Sequence, residues 1–350
     1  MSDRLEQPTA KDDDGTIWKF IFMFCENDLD MDREHGLPNN SRAVLFCTHC
    51  LATNVIAKDK PNPHPFIDDG PNASWRNNLI TSNTDFMNRI VRPHPLTSSK
   101  YFNRYTKRYD AMHIMDHKGV YAIIIESICL YLIKKNGYPS LGATEEERVA
   151  TINHRLRRFY KTNPGITARL DQIEKKNLLP AGPASYAELR GPTVKAANTR
   201  QAIPFLKELA DRHLTETREL DHGIMHQLIK HTLDFNRLLY SSGVFFTPEE
   251  LAAFDIATKG IGKYMQLLRK RAKENKELLW HITPKVHFMQ HFPQDARLIS
   301  PRIVQCYIEE SYIGKMAQVW VSSKNGPYRE SIQFWVLLKY LVWIAIELDL

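Results

Sequence analysis

From Val120 to Ile133 the chain reads "VYAIIIESICLYLI", and Glu126 is the only charge in those fourteen residues. A helix places successive side chains about 100° apart, so this segment is apolar on every side and not along one stripe. It must be enclosed by other elements. It is also shorter than the ~20 residues that span a bilayer, as is the second apolar run, Phe334–Ile346, which Lys339 interrupts. Both are therefore expected to be core helices. A chain of 350 residues is long enough to wrap them, and 43% hydrophobic with 25% charged residues is a globular balance. The formal net charge of +7 favours polyanionic partners without requiring one.

Organisation follows from periodicity and stop signals. Residues 1–15 are polar and acidic and are expected to form a disordered leader. "TIWKFIFMF", Thr16–Phe24, has the β-branched and aromatic profile of a buried strand, and "AVLFC", Ala43–Cys47, is a weaker strand signal. From Leu51 to Ser99 the sequence is rich in Pro, Asn and Asp and lacks periodicity, an unusually long irregular stretch. Helices are expected over Val120–Lys135, Thr144–Thr162, Arg200–Arg212, Thr217–Ser241, Thr247–Lys273 and Ile332–Leu348. Thr144 with Glu147, and Thr247 with Glu250, have capping-box spacing. The result is a mainly α chain with a small β component. Its expected divisions are 1–15, a core with CxxC and irregular segment over 16–119, a helical body over 120–285, and C-terminal helices over 286–350.

Five cysteines without framework spacing, and no secretory signal, point to a reducing compartment, nuclear or cytoplasmic, and not to secretion. Cys47-Thr-His-Cys50 offers two soft ligands at a spacing zinc accepts, but a tetrahedral site needs two more. His113 with His117, and His287 with His291, are each spaced i,i+4 and put both rings on one side of a helix. Each pair equally suits hydrogen-bonded core imidazoles. "KYFNRYTKRYD", Lys100–Asp110, interleaves Lys100, Arg104, Lys107 and Arg108 with Tyr101, Phe102, Tyr105 and Tyr109, a mixture suited to phosphate pairing and base stacking. "RLRRFYK" and "LLRKRAKENK" are further basic clusters, with the character of solvated helix faces. No GxxxxGK[ST], GxGxxG or GxSxG is present, so nucleotide hydrolysis and α/β-hydrolase chemistry have no support. Neither His pair carries the Glu of HExxH, which weakens a zinc-hydrolase reading.

Taken in order, "FIFMFCENDLD", "CTHC", "DAMHIMDHKG", "TPKVHFMQHF" and "YIEESYIGKM" form a pattern that resembles the DDE-type transposases of CACTA and KDZ elements. The resemblance covers about Trp18 to Met316. It implies a partial RNase H-like α/β core with a large helical insertion, DNA as partner, no membrane, and a homo-oligomer as an open option. It further implies DNA cutting and joining by carboxylates that hold Mg²⁺. Asp28, with Asp30 as an alternative, matches the acid after the Asn; Glu310, beside Glu309, matches the last acid. The family's first catalytic Asp lies on an earlier strand, and Asp12–Asp14 sit in no apolar strand. The chain thus resembles an N-terminally incomplete relative with two of three acids, not expected to catalyse alone. A structural zinc is expected on Cys47, Cys50, His113 and His287, with Asp110 orienting a ligand. Lys100, Arg104, Tyr105, Lys107 and Arg108 are the expected nucleic-acid contacts.

Overall fold

The computed structural model describes residues 10–11, 17–18, 25–27, 47–53, most of 65–90, 97–98, 102–135, most of 138–174, 178, parts of 186–189, 194–214 and 220–305. Within them the protein is mainly helical. Its strands are short: β1 (Ala10–Lys11) pairs antiparallel with β2 (Ile17–Trp18), and β3 (Cys25–Asn27) runs parallel to β4 (Lys107–Tyr109). Of the expected strand Thr16–Phe24, only Ile17–Trp18 is described as strand. Most of Ala43–Cys47 lies outside the described residues, as does the expected helix Ile332–Leu348.

The helices are α1 (Asn83–Met87), α2 (Val120–Lys134), α3 (Glu145–Thr162), α4 (Ala196–Leu209), α5 (Leu220–Ser241), α6 (Pro248–Glu274), α7 (Pro284–Met289) and α8 (Phe292–Ala296). Helix α2 is buried from Val120 through Ile133, including Glu126 and Ser127, as its all-round apolarity requires. Asp110 leads into a π-turn, Met112–Asp116, which packs against the start of α2. At Gly119 an added Cβ would stand 2.1 Å from the Ile114 carbonyl oxygen, so only glycine admits this approach.

Both capping boxes form. Thr144 accepts from Glu147 N–H, and Thr247 from Glu250 N–H, with each glutamate bonding back to its cap. Helix α3 buries Ile152, Leu156, Phe159 and Tyr160, the i, i+4, i+7, i+8 stripe of an amphipathic helix. Helices α5 and α6 form the longest packed pair. Met225, Leu228, Thr232 and Phe235 on one and Phe254, Ile261 and Met265 on the other are buried, and the Phe235 and Phe254 rings stack at 4.7 Å. They close to contact at Gly260, where a Cβ would meet the His231 ring at 2.4 Å. A single apolar cluster runs from Cys47 through α2–α6 to Ala296 and so joins segments far apart in sequence. Ile80, Phe86 and Phe102 form a small second cluster.

Candidate metal centre

The loop Cys47–Cys50 is laced to residues 78–80. Leu51 N–H donates to Asn78 O at 3.0 Å, and Ile80 N–H to His49 O at 2.9 Å. This lacing exposes neither thiol: Cys47 and Cys50 are both wholly buried. The facing wall is α7 and the turn into α8. Pro284 sets the first turn of α7, His287 lies in its last, and His291 precedes Phe292 of α8. Gln290 fixes this corner by donating to Thr258 O of α6 at 3.0 Å and accepting from Arg76 Nη2 at 2.7 Å.

Four side chains converge there. Cys47 Sγ is 3.3 Å from His291 Nε2, Cys50 Sγ is 3.3 Å from His287 Nε2, and the two Nε2 atoms are 3.2 Å apart. All four donor atoms lie within 4.8 Å of one another. Zinc with Zn–S of about 2.3 Å and Zn–N of about 2.05 Å needs S–N edges of about 3.5 Å and an N–N edge of about 3.3 Å. The two S–N edges and the N–N edge given above lie close to these values. Backbone N–H groups of His49 and Ala52 also reach Cys47 Sγ and Cys50 Sγ at 3.4 and 3.3 Å, favouring charge on sulfur. Burial pushes the Cys47 thiol up, but its bond with Cys50 and the two imidazoles outweigh this and hold it well below the ordinary thiol value. Burial, then the neighbouring Cys47, pushes Cys50 well above that value. Burial also lowers His287 to about 4, leaving a neutral imidazole as a metal requires. Two soft sulfurs and two imidazoles, all buried, form a donor set that can hold a metal such as zinc.

Aromatic rings and a polar chain surround the four donors. Trp75 meets the His287 ring edge-on at 4.5 Å, and Tyr109 stacks on His49 at 4.4 Å. The Tyr109 hydroxyl accepts from Thr48 N–H at 3.2 Å and lies 3.4 Å from Cys47 Sγ, within donating distance of a thiolate. His49 points away from the donors, with Nδ1 3.0 Å from Thr48 Oγ1 and Nε2 facing Asp295 Oδ1 at 3.4 Å. Burial keeps this imidazole below its ordinary value, so Arg108, 2.8 Å from the same oxygen, is the cation that balances Asp295. Burial alone would raise the Asp295 carboxyl; His49 and Arg108 outweigh it and hold it below the usual range.

Three of the expected ligands, Cys47, Cys50 and His287, come together. The fourth in the group is His291 and not His113. His113 instead directs Nδ1 at Asp110 Oδ2 in a short contact at the π-turn. Asp110 is thus bound to a histidine outside the group. The i,i+4 spacing in "HFMQH" was the available signal for His291.

The expected nucleic-acid stretch also divides. Arg108 is buried in its pair with Asp295, Lys107 is buried with Nζ donating to Arg108 O, and Arg104 is buried with its guanidinium turned to Ile80 O. Aliphatic stems and buried acceptors hold these cations inside, where they cannot meet a phosphate. Tyr105 is 53% exposed and remains open to a ligand. Lys100, Asp28 and Glu310 lie outside the described residues, so the carboxylates assigned to Mg²⁺ have no geometry here. Among the described residues no helix is long and apolar enough to cross a membrane. No family model, curated protein or solved structure matches the chain.

Proposed function

We propose that this chain is a transposase-derived DNA-binding protein whose partial RNase H-like core and helical insertion are stapled together by a structural zinc. The observation that carries the reading is convergence. "CTHC" and "PKVHFMQH", two motifs of the resemblance, meet as four donors although 237 residues separate Cys50 from His287. The strand ending in Asn27 pairs in parallel with the strand that leads to Asp110 and His113, which joins two more. Motifs with unrelated roles have no reason to meet in pairs across so much sequence. A closed set of four protein ligands leaves no open position for substrate, which supports a structural metal over a hydrolytic one. Asp28 and Glu310 are the residues that would hold Mg²⁺, and Mg²⁺ would activate the attacking oxygen and stabilise the leaving one. With two of three acids recognisable, we assign binding and not cleavage to the isolated chain.

The test pairs a gel shift on duplex DNA with a plasmid-nicking assay in Mg²⁺ or Mn²⁺. Duplex binding should fall steeply between about 50 and 200 mM salt and survive Glu310→Gln, with no nicking by either protein. Absence of binding would sink the DNA reading. Nicking that Glu310→Gln abolishes would overturn the binding-only assignment and make the chain an active enzyme.

A further inference from the structure

Between Thr258 and Lys273 helix α6 carries Lys259, Lys263, Arg269, Lys270, Arg271 and Lys273 and no acid. A helix dipole accounts for cations in the last turn, but it does not reach Lys259 or Lys263, which lie mid-helix. The positions 259, 263, 270 and 273, with Gln266 between, follow the i+3/i+4 rule and fall in one row. At 1.5 Å per residue this row is about 21 Å long. Lys259, Lys263, Lys270 and Lys273 are all exposed. Lys259 is paired with Asp255 at 2.5 Å, whereas Lys263, Lys270 and Lys273 have no carboxylate within ion-pair reach among the described residues.

The row does not lie on an open convex surface. Ile67 and Gly70 form a wall beside it, and the groove between them and α6 has a volume of about 470 Å³, lined by Lys263, Arg269, Lys270 and Lys273. Gln266 anchors this wall by donating to Ile67 O at 2.7 Å. A second groove of about 540 Å³ opens at Lys259, where Arg76 and Arg297 face Asp255 and Lys259. The buried His291 and Gln290 line it too, so that end of the row adjoins the four-donor corner. The exposed large apolar side chains along the row are Ile256 and Leu267, and the half-buried Tyr264 ring is stacked on His231 at 5.5 Å, so no fully exposed ring is presented for base stacking.

We propose that this groove along α6 seats the sugar–phosphate backbone of DNA, one strand of a duplex lying along Lys263, Lys270 and Lys273. The inference rests on the DNA reading above and names its surface, which is not the Lys100–Arg108 segment. Three ammonium groups without a carboxylate partner among the described residues suit about three successive phosphates over this length. With neither base-edge donors arranged in a row nor stacking rings, recognition is of backbone charge and not of sequence.

The experiment measures anisotropy of a labelled random duplex against salt for three proteins. These are the wild type, K263Q/K270Q/K273Q, and R157Q/R158Q/K161Q. The last removes three exposed charges from α3 and controls for net charge. The α6 variant should bind at least about tenfold more weakly at ~0.1 M salt, with the slope of log K against log salt reduced by about 2–3. The α3 variant should lose less than about threefold. An unchanged α6 variant, or equal losses in both variants, would overturn the groove while leaving DNA binding intact. A wild type that binds no duplex would instead overturn the DNA reading itself. Circular dichroism of each variant confirms that these exposed Lys and Arg changes leave the helices formed.

Discussion

Glu126 is the residue on which burial has its clearest chemical consequence. It lies in the middle of α2, and its Oε2 accepts from Leu189 N–H at 2.6 Å. Burial, only partly offset by that bond, pushes the carboxyl from 4.5 up to about 8. The folded chain therefore keeps this proton over a range in which the unfolded chain has lost it. Stability should fall as pH rises from about 4.5 to about 8 and be flat outside that window, a span worth roughly 5 kcal/mol at most. Glu126→Gln keeps the acceptor and removes the charge. It should leave stability unchanged near pH 5 and raise it by roughly 2–5 kcal/mol near pH 8, as read by urea denaturation at the two pH values; parallel curves would refute it. Other residues were less legible. Cys47, Cys50 and His287 follow from ligand chemistry, but two histidine pairs share one spacing, and which pair faces the thiols is decided by tertiary closure. Arg108 belongs to a basic–aromatic alternation that suits a phosphate surface equally well. Its partner Asp295 is 187 residues away, so burial of the pair left no local mark.

At the scale of elements, signals confined to one turn of chain carried most of the information. Thr144–Glu147 and Thr247–Glu250 specify helix starts through bonds made within three residues, and both form. The all-round apolar run requires an enclosed helix, and α2 is one. The π-turn before it was not legible, because Asp110, His113 and Asp116 also suit an ordinary capped helix start. Gly119 marks the difference: the Ile114 carbonyl turns into the space a side chain would fill. Gly119→Ala should therefore cost about 2–4 kcal/mol, lowering the urea midpoint, because the clashing atom is backbone and cannot rotate away. Gly165→Ala, where nothing lies within 4 Å of the added carbon, should shift the midpoint little. Equal effects at the two positions would mean that the approach at Gly119 is not rigid.

For the whole molecule, a metal held by the four donors would act as a cross-link between distant parts of the chain. Closing a loop of the 237 residues from Cys50 to His287 removes unfolded-chain entropy worth about 5 kcal/mol by the same estimate used for disulfides. Such a staple would also fix what burial alone leaves unsettled: α7 and α8 are short helices, of six and five residues, too short to be stable by themselves. Gln290 bonds α6 and Asp295 bonds Arg108 from this corner, so a metal there would order the helical pair and the segment carrying β4 together. Stripping the metal with a strong chelator should lower the melting temperature by about 5–10 °C and expose the Cys47 and Cys50 thiols to a thiol reagent. Zinc, and not Mg²⁺, should restore both. His291→Ala should reproduce the loss and reduce bound zinc well below one per chain, whereas His113→Ala should retain it. Because His113 and His291 belong to i,i+4 pairs of the same kind, the contrast between them isolates the geometry: only the histidine that reaches the thiols should carry the metal. If zinc content fell equally in both, the centre would have to include the π-turn, and the folded arrangement around Asp110 would be different from the one described.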